Sequence, residues 1–125
     1  MDRREKGDDL LRLRAPDGRQ HATLSVTLFG ADPSFDEFEG LCQLRLDAEK
    51  RDSPNCVIKS SPALDFKGTF GMYYFGDDKK TGRAFSAYLS LEKRELLALH
   101  VEGLGVDLKE HLETVQIFAQ GFTRK

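Results

Sequence analysis

The chain has 125 residues, 32% of them charged and 39% hydrophobic, and its 19 Lys and Arg nearly balance 21 Asp and Glu to give a net charge of -2. That length suits one domain with its own core and is too short for two. The scattered, balanced charge argues against a dedicated nucleic-acid binder, which shows a basic domain or stripe, and no run approaches the ~20 apolar residues of a membrane span.

Residues 1–9, Met-Asp-Arg-Arg-Glu-Lys-Gly-Asp-Asp, are polar and lack the apolar centre of a signal peptide. They are expected to form a loose tail on a single domain over 10–125, in a cytoplasmic protein; a periplasmic location requires a removed leader. Leu10, Leu11 and Leu13 make a short strand that stops at the turn Ala-Pro-Asp-Gly. In the stretch that follows, Ala22, Leu24, Val26 and Leu28 alternate with Thr23, Ser25 and Thr27, the period-2 pattern of a strand with one buried side.

Ser34 and Glu37 form a Ser-x-x-Glu capping box, so a helix starts after Ser34 and runs to about Arg51, with Phe35, Phe38, Leu41, Cys42 and Leu46 on its core side. "CVIKS" reads as a strand closed by Ser61-Pro62. Two further strands flank the turn at 76–82, and "LLALHVEGLG" gives another. A last amphipathic helix starts at Asp107 and sets Leu108, Leu112, Val115, Phe118 or Ala119, and Phe122 in one stripe. This order predicts an α+β domain: an antiparallel sheet of about five to six strands packed with two main helices.

The strand at 69–75 is apolar on both faces, with Phe70, Met72, Tyr73, Tyr74 and Phe75 nearly in sequence. If Phe75 stands opposite Arg83 and Leu91 opposite Leu97, one face collects Tyr73, Phe75, Phe85, Ala87, Leu89, Leu91, Leu97, Leu99 and Val101 as the seat for the helices. The other then carries Phe70, Met72, Tyr74, Ser86, Tyr88, Ser90 and His100. That second face is either covered by the chain's own helix or N-terminal segment, or is a shallow groove for a partner helix or peptide.

No histidine, carboxylate or glycine spacing matches a hydrolase, metal or phosphate-binding motif, so neither a catalytic residue nor a cofactor is expected. His100 and His111 read as structural, and Cys42 and Cys56 as reduced thiols without a metal or redox motif. Asp77 and Asp78 sit at a hairpin tip, as solvated residues or as charged contacts for a partner.

Taken as a series, "LLRLRAPDG", "ATLSVTLF", "PSFDEFEGLCQLRLDAEK", "CVIKSSPALDFKGTFGMYYF", "GRAFSAYLSL", "ELLALHVEG" and "LKEHLETVQIFAQGF" resemble, in order and spacing over residues 8–123, the PsbP-like superfamily. The likeness is to its small bacterial branch of DcrB-like proteins and effector-associated (Eag) chaperones of type VI secretion. It implies an α/β sandwich and a non-enzymatic binding protein, in the chaperones often a dimer, whose sheet face shields apolar helices of a secreted effector or toxin.

Three roles follow as expectations. A cytoplasmic chaperone or adaptor would hold an apolar partner helix on Phe70, Met72, Tyr74, Ser86, Tyr88, Ser90 and His100, provided that face is open. An immunity protein would bind a cognate toxin through loops such as 76–82, with Asp77 and Asp78. A small enzyme would need a deep pocket with convergent polar groups, for which the sequence offers no set.

Overall fold

A computed structural model describes the backbone of residues 6–14 and 18–120, and side chains from 18 to 116. Seven strands and two helices follow in the order β1 (Lys6–Arg14), β2 (Gln20–Leu28), α1 (Phe35–Asp52), β3 (Val57–Ser60), β4 (Leu64–Phe66), β5 (Thr69–Asp78), β6 (Arg83–Glu92), β7 (Glu95–Leu104) and α2 (Leu108–Gln120). All pair antiparallel in one sheet, in the order β1-β2-β7-β6-β5-β3, with β4 pairing β5 beside β3. The fold is α+β, as expected. β1 reaches back to Lys6 into the stretch expected to be tail, while residues 1–5, the turn residues 15–17 and Phe122 lie outside the described residues, as do the side chains of Phe118 and Ala119.

The helix starts follow local chemistry. Ser34 Oγ accepts from the Glu37 N–H at 3.1 Å and Glu37 Oε1 accepts from the Ser34 N–H at 2.8 Å, the reciprocal capping box at α1. Asp107 Oδ1 accepts from the Glu110 N–H at 2.8 Å at α2. Each helix covers one face of the sheet. Phe38 and Cys42 of α1, with Phe35 and Leu46 beside them, pack on Met72, Tyr74, Phe85, Ala87, Leu89, Leu91, Leu96 and Ala98. Val115 of α2 packs on Ala22, Leu99 and Val101 of the opposite face.

The strand registers differ from the expected ones by an odd number of residues, which reassigns the faces. β5 runs on to Asp78, so that Phe75 pairs with Ser86, Tyr73 with Tyr88, Met72 with Leu89 and Phe70 with Leu91. The cause is Asp78. Its Oδ1 accepts the N–H groups of Lys80 and Thr81 and its carbonyl accepts that of Gly82, closing the turn over Lys79–Gly82 where a longer loop was expected. Between β6 and β7 the turn takes only Lys93 and Arg94, with Lys93 at φ 55, and Leu91 faces Leu96, not Leu97. Each odd slip turns a whole strand over.

Gly76 is required where it stands. Its row on the α1 face holds Phe85, and a Cβ there would meet the Val57 carbonyl oxygen at 2.5 Å and the Phe85 ring at 2.9 Å. On the outer side of β5, Pro62 interrupts the edge between β3 and β4. Ser61 fills the break: its N–H donates to the Tyr73 carbonyl at 2.8 Å and its Oγ accepts from the Tyr73 N–H at 3.0 Å.

Candidate functional site

The residues expected to share one open face are divided between two. Phe70, Met72, Tyr74 and His100 lie on the α1 face and Ser86, Tyr88 and Ser90 on the α2 face. Phe70 is clasped by Phe35 and Phe38, with ring centroids at 5.2 and 5.8 Å, and Met72 and Tyr74 are buried under α1. The α1 half is therefore covered by this chain's own helix, one of the two alternatives the sequence left open, and these residues do not form a single groove. Asp78 is also buried and engaged by its own turn, which corrects its place at a solvated tip; Asp77 is half-buried.

Under the end of α1 lies a charged cluster. Glu49 Oε2 accepts from the Tyr74 hydroxyl at 2.7 Å and from His100 Nε2 at 3.1 Å, and Oε1 accepts from Arg83 at 2.8 Å. Arg83 also donates to Ser53 Oγ at 2.9 Å and to Glu102 at 2.8 Å, and its guanidinium lies 4.5 Å from the Phe85 ring centroid. Burial alone would raise the Glu49 carboxyl. The hydrogen bonds from His100, Arg83 and Tyr74 outweigh it and hold the group at about 2. The Tyr74 hydroxyl is pushed well up by burial and by the adjacent Glu49 charge. Glu49 occupies the last turn of α1, where the helix dipole disfavours an anion, and Arg83 offsets that.

On the α2 face the buried polar contacts are neutral, while at the solvent-exposed start of the helix Arg19 pairs with Glu110 at 2.6 Å and donates to the Gly105 carbonyl at 2.8 Å. Gln20 Oε1 lies 2.8 Å from His111 Nδ1 and, being an acceptor only, places the ring proton on Nδ1; Nε2 then accepts from Ser86 Oγ at 2.8 Å. Gln20 Nε2 donates to Thr114 Oγ1 at 2.8 Å, which donates to the Glu110 carbonyl at 3.2 Å. Burial pushes the enclosed His111 down to about 4. The Ser86–His111 pair has the spacing of a nucleophile and its base. Ser86 is itself buried in β6, however, whose two edges are both committed to ladder pairing, so the strand has no free N–H groups aimed at an oxyanion. As arranged, the chain of four side chains braces α2 against the sheet.

Beside α2 the same face changes character. Tyr73 and Tyr88 stack across β5 and β6 with centroids 5.6 Å apart, and they are 44% and 40% exposed. Leu64 and Phe66 of β4 continue the strip on the same side of the sheet and are also exposed. A cleft of about 160 Å³ opens between the two tyrosines and α2, lined by Phe75, Ser86, Leu112, Val115 and Gln116. Of the residues expected to meet a partner, Tyr88, Ser86 and Ser90 lie here. Tyr73, Leu64 and Phe66 were missed: Tyr73 was assigned to the core by the slipped register, and β4 was not foreseen.

Among the described residues no helix is long and apolar enough to cross a membrane. No protein-family model and no curated protein sequence matches the chain. Among solved structures it is similar to the extracellular domain of PknH from Mycobacterium tuberculosis, at 11% identity and a TM-score of 0.36. That likeness covers 71% of this chain and 49% of that one, so the chain spans about half the length of the structure it matches.

Proposed function

We propose that the protein is a non-enzymatic binding module, a cytoplasmic chaperone or adaptor of the type VI secretion kind, that shields an apolar helix of a protein partner. The partner would lie on the α2 face, over Tyr73 and Tyr88 and along Leu64 and Phe66. One observation carries the reading: four large apolar side chains, each at least 40% exposed, share one side of the sheet next to an open cleft. Contiguous exposed apolar surface of this kind marks interaction sites in soluble domains, and rigid tyrosines supply contact area at low entropic cost. The sequence resemblance to effector-associated chaperones points the same way, although the face differs from the one expected.

The test compares tagged wild-type protein with the variant Tyr73→Asp/Tyr88→Asp in pull-downs from the native organism, quantified by mass spectrometry. The expected result is a protein with an apolar helix that co-purifies with wild type and falls about tenfold with the variant, roughly 1.4 kcal/mol of binding. Equal recovery with both baits removes the α2 face from the reading.

A further inference from the structure

A second surface lies on the other side of the molecule, and it is independent of the α2 face. Helix α1 turns Phe38, Cys42 and Glu49 to the sheet, yet Leu44 is 64% exposed and Leu41 lies outside the core cluster. Together with Phe29 and Pro33 of the segment before α1, these leucines line an open groove of about 700 Å³.

The floor of this groove is Gly40. A glycine inside a helix destabilises it relative to alanine, and such a residue ordinarily repays this by a close approach or an unusual backbone angle. Gly40 does neither within the chain: its φ is not positive, and a Cβ there would meet nothing within 4 Å. About one turn on either side stand Glu37 and Leu44, and between them the α1 backbone is bare and open to the groove.

Charge narrows the occupant. Among the described residues, the only charged side chains lining the groove are Asp32 and Glu37. Glu37 is engaged in the capping box, whereas Asp32 is exposed and has no partner among the described residues. We infer that the groove receives an amphipathic basic helix of a partner protein, with an apolar side chain seated over Gly40 between Leu41 and Leu44 and a Lys or Arg paired with Asp32.

The probe is a fluorescein-labelled designed helix of Leu and Lys, with a counterpart in which every Lys is Glu, titrated into the full chain by anisotropy and by amide NMR. The Lys helix is expected to bind and to shift the amides of Gly30, Gly40 and Leu44. Binding should fall about tenfold or more in Gly40→Leu and in Asp32→Lys. Gly40→Leu should melt no lower than wild type, because leucine is the better helix former; this separates lost binding from lost folding. The inference is overturned by no binding of the Lys helix, by equal binding of the Glu helix, or by binding that survives Gly40→Leu. Shifts confined to Tyr73 and Tyr88 also overturn it and place the peptide on the α2 face.

Discussion

The two helices of this domain are fastened to opposite faces of one sheet by different chemistry. α1 is held at its C-terminal end by a buried ion pair, Glu49 with Arg83, to which Tyr74 and His100 add hydrogen bonds, whereas the buried fastening of α2 is an uncharged chain through Ser86, His111, Gln20 and Thr114, its ion pair, Arg19–Glu110, being exposed. A charged brace is strong only while every member is present, because a single partner left behind is a buried unpaired charge. A neutral brace fails more gently, by one unsatisfied group at a time. The largest effect should therefore come from Glu49→Ala, which removes one of the two carboxylates on Arg83, 12% exposed in its side chain, leaving it Glu102 and Ser53, and takes the acceptor from the Tyr74 hydroxyl. Chemical denaturation should show a loss of about 3–5 kcal/mol. A loss below about 1 kcal/mol would mean that Glu102 alone satisfies Arg83 and that the charged brace is no stronger than the neutral one.

Acid should separate the two interfaces in order. His111 is held neutral, down at about 4 against an ordinary 6.5, so its contribution is complete above 6.5. As pH falls the unfolded chain takes up the proton before the native state does, and stability drains away from 6.5 until the native imidazole also protonates near 4. Glu49 behaves as a depressed carboxyl: its contribution is present above the ordinary 4.5 and is lost as pH falls toward about 2. Denaturation between about pH 7 and 5 should cost roughly 2 kcal/mol through His111. The matching measurement on His111→Gln should be flatter over that interval, while the loss below 4.5 persists. If His111→Gln keeps the wild-type slope, another group governs the first interval.

The sequence was a good guide wherever structure is decided by neighbours in the chain. The Ser34–Glu37 box and the Asp107 cap depend on side chains three residues apart, and both formed as expected; β2 formed as a strand too, but of its alternating apolar residues only Ala22 is buried, Leu24 and Val26 being half-buried like Thr23, Ser25 and Thr27, and Leu28 exposed. The candidate face was not legible for the opposite reason. Which of Tyr73 or Tyr74 meets the core depends on where β5 ends, and that is settled by the Asp78 side chain folding back on Lys80 and Thr81. The sequence "GDDKKTG" allows a loop beginning at Gly76 as readily as one after Asp78; the Asp78 turn bonds, together with the close fit of Phe85 at Gly76, favour the latter. That His111 is structural can be read from the sequence, but its partners cannot, because Gln20 and Ser86 are 91 and 25 residues away in the chain.

Within the neutral brace, Gln20→Leu removes the acceptor for His111 Nδ1–H and the donor to Thr114 while preserving bulk. The expected loss is about 1–3 kcal/mol, the cost of leaving a buried donor unmet. Smaller still should be the coupling between the two braces. They meet the sheet on opposite sides, and β7 runs between them, with His100 in the α1 cluster and Val101, its neighbour in the strand, on the α2 face. A double-mutant cycle pairing Glu49→Gln with Gln20→Leu should give additive losses within about 0.5 kcal/mol. A larger coupling would mean that the sheet transmits the state of one helix to the other. The α2 face, with Tyr73 and Tyr88, would then respond to what happens under α1.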